Sequence, residues 1–329
     1  MNNIHLFFAV LILSFLSTLV LTKFLIPIII SKKVGQHILA DGPSWHKNKE
    51  GTPTMGGLSF VFTIIGLFLI YLLISHKSAL YKENICALNV IIYSLLNACI
   101  GIIDDLSKII KKENKGLSAK SKFLLQSVSA IIFLVLMKAT VGIDTSIQIP
   151  FLDFGIELGI FYYIFAFILL CGFVNAVNLT DGIDGLATSL TVTVAVLFSI
   201  ISFTKIQNSA FTFISAALLG SMVAFLIFNF HPAKIFMGDT GSLFLGALIV
   251  GTSFLINNIL VFLYGVIYLI EAISVMVQVL FFKVTKGKRL LKMAPLHHHF
   301  EKSGWSENKI VLCFTIINAI FCLLAFLGM

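Results

Sequence analysis

Apolar runs near 20 residues long recur from one end of this chain to the other. A run of that length is what an α-helix needs to cross the hydrocarbon core of a bilayer. Inside that core every backbone N–H and C=O must be satisfied within the segment, which leaves helices as the spanning element here. The chain therefore reads as all-α, a polytopic integral membrane protein. Composition agrees: 58% of residues are hydrophobic and only 12% are charged, far from the make-up of a soluble domain. No segment between runs is much longer than about 25 residues, too short for a core of its own, so residues 1–329 are expected to form a single membrane domain.

Ten spans are predicted, at roughly 5–30, 56–75, 85–103, 121–139, 158–177, 185–203, 209–230, 241–256, 261–283 and 310–328. The first lacks a basic leader and a small-residue cleavage site, so it is expected to be retained as a span. Eighteen of the 23 Lys and Arg fall in the loops after odd-numbered spans, among them Lys32, Lys49, Lys108, Lys120, Lys122, Lys286 and Arg289. The opposite loops hold Lys77, Lys82, Lys138 and Lys205. The positive-inside rule then puts the basic side in the cytoplasm and both termini outside, giving about ten helices in a multi-pass topology. The excess of +8 serves topology first, and it also suits anionic lipid and phosphate-bearing substrates. No soluble recognition module is present, which argues against nucleic acid. The five cysteines match no metal spacing and read as core thiols.

Acids are scarce in this chain, and five of the 15 stand at predicted cytoplasmic helix ends. The fifth and sixth spans are joined by Asn175-Ala-Val-Asn178-Leu-Thr-Asp181-Gly182-Ile-Asp184-Gly185. Polar groups at membrane depth are costly and are functional by default. Asp181 and Asp184 are three apart, so on a helical turn both carboxylates share a face. The second cytoplasmic segment opens with Asp104-Asp105-Leu-Ser-Lys108. Adjacent carboxylates at a helix C-terminus face an unfavourable dipole and repel each other unless a cation is shared. Mg²⁺ takes one or two carboxylates with substrate phosphate oxygens, although neighbouring lysines alone also account for the pair. The seventh and eighth spans are joined through Phe236-Met-Gly238-Asp239-Thr240-Gly241-Ser242, where Asp239, Thr240 and Ser242 are good N-caps for the following helix. Convergence of these acids on one face argues for a divalent-metal site.

Two further stretches stand out. Thr52-Pro53-Thr54-Met-Gly-Gly57 could form an anion-binding nest beside Lys49, and an ordinary helix-entry turn fits the same residues. Met293-Ala-Pro-Leu-His297-His298-His299-Phe-Glu301 carries three adjacent histidines, which cannot all face one metal from a helix. Glu271, inside the ninth span, has no local partner in the sequence and is expected to make a buried structural hydrogen bond. Ile147 to Ile156 alternates enough to suggest a short extracytoplasmic hairpin.

Taken together, these five cytoplasmic motifs resemble, in order and over essentially the whole chain, the bacterial phospho-N-acetylmuramoyl-pentapeptide transferases. That family sits within the polyprenyl-phosphate N-acetylhexosamine-1-phosphate transferase superfamily. The aspartate motifs are shared across the superfamily, whereas the Thr52–Gly57 and Met293–Glu301 stretches are more specific to this branch. Ile183 stands where the family commonly has leucine. The resemblance implies an enzyme of the bacterial cytoplasmic membrane that joins UDP-N-acetylmuramoyl-pentapeptide to undecaprenyl phosphate. UMP would leave and lipid I would form, with Mg²⁺ as cofactor and a homodimer as assembly.

Phosphoryl transfer between two anions needs charge neutralisation and positioning more than covalent help. Asp239 is accordingly expected to be the principal Mg²⁺ ligand. The resemblance implies Asp104 as the base that keeps the lipid phosphate dianionic, with Asp105 beside it. Direct attack by the lipid phosphate is preferred to a double displacement through an aspartate nucleophile. Lys49, Thr54, Lys108, Asn178 and His297 are expected at the phosphates. Asp181, Gly182, Asp184 and Phe236 are expected at the nucleotide end of the donor, His298 near its sugar and peptide, and Asn175 among the substrate-binding residues. Two rivals remain: transfer from UDP-N-acetylglucosamine, which the branch-specific stretches oppose, and an ion-coupled transporter. A transporter places its site near the midplane between repeats, and the Asp181–Gly185 motif has no second copy.

Overall fold

The computed structural model describes residues 3–31, 51–75, 82–111, 116–152, 154–256 and 258–329. Among them, ten helices are long and apolar enough to cross a membrane. These are α1 (Asn3–Ser31), α2 (Gly57–Ile74), α3 (Lys82–Lys111), α4 (Ala119–Thr140), α5 (Phe161–Thr180), α6 (Leu186–Thr204), α7 (Ser209–Asn229), α8 (Gly238–Thr252, whose span runs on through a 3-10 turn to Leu255), α10 (Val266–Val284) and α12 (Glu307–Leu327). Two short α-helices, α9 (Val261–Tyr264) and α11 (Leu296–Glu301), and two 3-10 turns, Ser253–Leu255 and Asn258–Leu260, complete the described helical set. The expected hairpin is present as β1 (Ser146–Gln148) and β2 (Gly155–Glu157), antiparallel, with Ile147 opposite Ile156.

Helix starts follow local chemistry where a capping residue is to hand. Asn208 accepts the amides of Ala210 and Phe211 at 2.8 and 3.1 Å and opens α7. Ser118 accepts the amide of Ser121 at 3.1 Å and opens α4. Ser306 does the same for α12.

The helices are not equivalent. α8 is the inner one, packed against α3, α5 and α2, and 78% of its span is buried against 28% for α1. α1 instead turns Phe8, Ile12, Leu16 and Phe24 outward, as a lipid-facing helix does. Lipid tails are as apolar as leucine, so membrane helices associate through close packing and interhelical hydrogen bonds. Both are visible around α8. Gly57 of α2 lies against Gly241 of α8, and Gly101 of α3 lies against the backbone of Asp239 and Thr240. Below this crossing, the Phe60 ring meets those of Phe225 and Phe244, with centroids 5.1 and 6.3 Å away. Polar bridges tie the rest: Thr188 to Asn229 at 2.7 Å, Thr191 to Tyr268 at 2.8 Å, and Asn318 to Thr193 at 2.7 Å.

Three features differ from the sequence expectation. α3 continues to Lys111 rather than ending near residue 103, so Asp104 and Asp105 lie within the helix. Hydropathy marks where the membrane ends, whereas the helix goes on for as long as its hydrogen bonds do. The ninth span is interrupted: α9 stops at Tyr264 and α10 begins after Gly265, where a Cβ would collide with the Phe173 ring. Cys99 is exposed on α3 rather than a core thiol, while Cys86, Cys171 and Cys322 are buried as expected.

Candidate functional site

The site is assembled by docking two loops onto α3. The Pro53–Gly57 stretch pairs with the loop before α8 through three backbone bonds. Phe236 N–H donates to Pro53 O at 2.8 Å, Gly56 N–H to Phe236 O at 2.8 Å, and Gly57 N–H to Met237 O at 2.9 Å. The Thr52–Gly57 motif is thus a clamp on the loop that carries Asp239. Thr54 contributes its hydroxyl against Gly238, beside Asp105. Gly238 itself has φ +69°, a left-handed conformation that glycine adopts without strain.

Asp239 is not the N-cap that its position suggested. α8 starts at Gly238, and no side chain of its own loop caps it. The cap comes from α3: Asp105 accepts the amides of Asp239 and Thr240 at 3.1 and 2.9 Å, and the Thr240 hydroxyl at 2.7 Å. A carboxylate at a helix N-terminus is favoured by both the open amides and the dipole. Ser242 likewise does not cap: its hydroxyl donates to Gly238 O at 3.2 Å and accepts from Asn178 Nδ2 at 2.8 Å.

With its backbone held, Asp239 turns its carboxylate to three partners. Oδ1 accepts Asn178 Nδ2 at 2.8 Å, and Oδ2 faces Lys108 Nζ at 2.7 Å and Lys122 Nζ at 2.9 Å. Lys108 also reaches Asp104 Oδ2 at 2.7 Å, and Lys122 reaches Asn178 Oδ1 at 3.1 Å. Asp104 Oδ1 accepts the amide of Leu117 at 2.7 Å, which draws the start of the next segment over the site. One oxygen each from Asp104, Asp105 and Asp239 lie within 4.8 Å of one another. A cavity of about 730 Å³ opens beside them, lined by Asp104, Lys108, Lys111, Lys122, Asn178 and Asp239 among others.

Three hard oxygen donors at this spacing can hold a divalent cation. Two ammonium groups already converge on Asp239 Oδ2, so the spot accepts concentrated positive charge. The same lysines would meet the oxygens of a phosphorylated ligand in the cavity. Lys122 is the member that the sequence reading did not single out. Its signal was position: a cation in the first turn of a helix opposes the dipole and needs a compensating anion, which Asp239 supplies.

The Asp181–Gly185 segment is a turn between α5 and α6, not a helical turn, so Asp181 and Asp184 do not share a face. Asp184 is buried and points to the loop before α8. Its Oδ2 meets His231 Nδ1 at 2.9 Å and accepts the amide of Ala233 at 3.0 Å. The amide of Asp184 donates to Glu307 Oε2 at 3.1 Å, and Asp184, His231 and Glu307 form a second group of possible metal ligands. Neither His231 nor Glu307 carries a motif that would have exposed it, because the three residues meet only in space.

Asp181 stays with the first cluster electrically. Burial, then the charges of Asp239, Asp105 and Asp184, push its carboxyl up to about 8. The sign follows from linkage: the unfolded carboxyl ionises near pH 4, the folded one near pH 8, so the fold loses stability as pH rises between the two. Asp181→Asn is therefore expected to raise the melting temperature in detergent by a growing margin from pH 5 to pH 8, levelling off above. Thermal unfolding of both proteins across that range checks it, and a margin independent of pH would refute it.

The remaining expected residues disperse. Asn175 Nδ2 bridges to Gln126 Oε1 at 2.7 Å and to the Cys171 carbonyl at 2.8 Å, bracing α5 against α4 away from the cavity lining. The three histidines of α11 diverge. His297 is enclosed against Glu271, His298 Nδ1 meets Glu301 Oε2 at 2.6 Å, and His299 Nδ1 accepts the Lys292 amide at 3.1 Å. Gly182 lies over the edge of the His297 ring. Phe236 is partly buried and engaged through its backbone. Lys49 lies outside the described residues.

Comparison with known proteins adds a separate line. Residues 87–257 match the family model described as glycosyl transferase family 4, and residues 49–61 match signature 1 of phospho-N-acetylmuramoyl-pentapeptide-transferase. The chain is 45% identical over 319 residues to the Clostridium perfringens (strain 13) protein of that name, covering 96% of each chain. It is 42% identical over 312 residues to that of Staphylococcus carnosus, covering 94% of this chain and 95% of the relative. It is 41% identical over 308 residues to that of Listeria monocytogenes serotype 4b (strain CLIP80459), covering 93% of each.

Proposed function

Because the chain belongs to the phospho-N-acetylmuramoyl-pentapeptide transferases of glycosyl transferase family 4, we propose how its own residues make lipid I. It is a multi-pass transferase of the bacterial cytoplasmic membrane, acting in peptidoglycan synthesis. Its substrates in this reading are UDP-N-acetylmuramoyl-pentapeptide and undecaprenyl phosphate. An oxygen of the lipid phosphate attacks the β-phosphorus of the donor, the bond to the α-phosphate oxygen breaks, and UMP leaves. The observation that carries the reading is the interleaving of Asp104 and Asp239 with Lys108 and Lys122 along one cavity, with Asp105 buried beside them.

Each residue then has a task. Lys108 and Lys122 move from Asp239 to the phosphate oxygens, holding the two anions against their mutual repulsion. Asp104 keeps the lipid phosphate dianionic, a modest task because a phosphate monoester's second pKa is about 6. Asp105 holds the start of α8, and with it Asp239, in place. Asn178 orients the Asp239 carboxylate. The donor set fits Mg²⁺, which Asp239 would hold with Asp104 alongside, and which would neutralise charge on the diphosphate. The turn at Asp181 and Gly182, with Asp184 behind it, receives the nucleotide end of the donor. Basic loops at the same end as this cluster support a cytoplasmic site with both termini outside. A homodimer is the assembly proposed from the same family membership.

The test uses the purified protein in detergent with Mg²⁺ and undecaprenyl phosphate, following UMP release and lipid I formation. UDP-N-acetylmuramoyl-pentapeptide should turn over and UDP-N-acetylglucosamine should not. Turnover with the second donor alone would move the chain to another branch of its superfamily, and silence with both in a folded sample would defeat the reading.

A further inference from the structure

Glu271 sits in α10, fully enclosed, in a helix that is otherwise almost entirely apolar. A carboxylate in such a place is expensive and needs a compensating role. Both of its oxygens serve a single residue. The His297 backbone amide donates to Oε1 at 3.1 Å, and His297 Nδ1 stands 3.2 Å from Oε2. The amide alone would be served as well by a neutral acceptor such as glutamine. What the carboxylate adds is the contact with the ring.

The ring is equally constrained. His297 is fully buried, and neither Nδ1 nor Nε2 meets hydrogen-bond geometry with a described residue, so the approach of Nδ1 to Glu271 is one of ion-pair distance. A buried ring nitrogen left in that state is costly unless something takes it up. Its surroundings show what it supports: a Cβ on Gly182 would collide with Nε2, so the imidazole edge lies directly beneath the Asp181–Gly185 turn. That turn carries Asp181, whose carboxylate makes no hydrogen bond to a described residue. A line of contacts thus runs from α10, through α11, to the segment between α5 and α6. The titratable groups that face the imidazole are Glu271 from α10, the turn with Asp181, and His298 on α11 itself. The His297 and His298 ring centroids are 4.2 Å apart, and Glu301 pairs with His298.

We propose that Glu271 is a positioning residue, holding the His297 imidazole with Nδ1 toward its carboxylate and Nε2 under Gly182, so that the turn stays where the nucleotide donor is received. This rests on the donor site assigned to that turn above. Glu271 touches no substrate and acts only through His297.

The experiment is a cycle of Glu271→Gln, His297→Asn and the double variant in the full-length protein. Glu271→Gln keeps an acceptor for the backbone amide and removes the charge. Its kcat/KM for the UDP donor should fall at least about tenfold, the scale for partners that orient a functional histidine, with the KM for undecaprenyl phosphate unchanged. The double variant should be no worse than His297→Asn alone. Wild-type kcat/KM in Glu271→Gln, or additive losses, would overturn the proposal. Histidine-labelled NMR supplies a readout that needs neither turnover nor a folded variant at Glu271. The resonance missing from His297→Asn should show a proton on Nδ1 in the wild-type protein, and a neutral ring protonated on Nε2 would overturn the assignment. Absence of turnover by the wild-type protein would instead sink the proposed function, leaving the NMR result to decide on the pair.

Discussion

Asp239→Asn is expected to leave a folded protein whose turnover is lower by about 10³-fold or more, the scale on which phosphoryl transfer loses a charge-stabilising group. The geometry explains both halves of that result. Asparagine fills the same volume, and the amide of residue 239 still donates to Asp105, so α8 keeps its cap. What disappears is the charge at which Lys108, Lys122 and Asn178 converge. The site would then carry two ammonium groups with Asp104 as the direct anionic partner of Lys108, and its best cation ligand would be gone. Turnover and thermal unfolding measured on one preparation check it. Retention of more than about a tenth of wild-type activity would remove Asp239 from the centre of the mechanism.

A single methyl group at position 101 is expected to do comparable damage by another route. A Cβ on Gly101 would run into the Asp239 carbonyl and the Thr240 amide. These are backbone atoms on the most deeply buried helix, pinned by Asp105 on one side and by the Gly57 contact on the other, so they cannot swing aside. Overpacking of this kind costs about 1–3 kcal/mol, and a displacement near 1 Å at a reacting group can cost about 10²-fold in rate. Gly101→Ala should therefore lower both the melting temperature and turnover. Gly172→Ala on α5 is the control: no atom of a described residue lies within 4 Å of its added Cβ, and replacing a helical glycine by alanine favours the helix by up to about 1 kcal/mol. If both variants behave alike, close approach at Gly101 is not what places Asp239.

These two expectations draw on different layers of information. The expectation for Asp239 was legible from a scarce acid among glycines at the end of an apolar run. The expectation for Gly101 was not, because it stands 138 positions from Asp239 and only the α3–α8 crossing brings them together. The Thr52–Gly57 motif falls between. Its glycine and proline content marked a special backbone, yet its docking partner, the Phe236–Met237 backbone, could not be read from either stretch alone. The Asp181–Asp184 spacing misled for a related reason. Helical periodicity places two side chains on one face only if the segment is helical, and here a turn sends Asp184 to His231 while Asp181 remains with the aspartate cluster.

What the sequence determined by itself is the solvent and the difference between the two membrane faces. Burying a backbone in lipid forces helices, their length follows from bilayer thickness, and the lysine distribution separates one end from the other. All ten predicted spans correspond to helices, and the acids that gather around Asp239 stood out in the sequence, whereas Lys122 did not. The tertiary structure alone decided which carboxylate does what. Asp104 and Asp105 are chemically identical neighbours, but one faces Lys108 and the other caps a helix that begins 133 residues later. The physical reason is that hydropathy is a property of each segment, whereas a carboxylate's role is set by the donors that long-range packing brings to its oxygens.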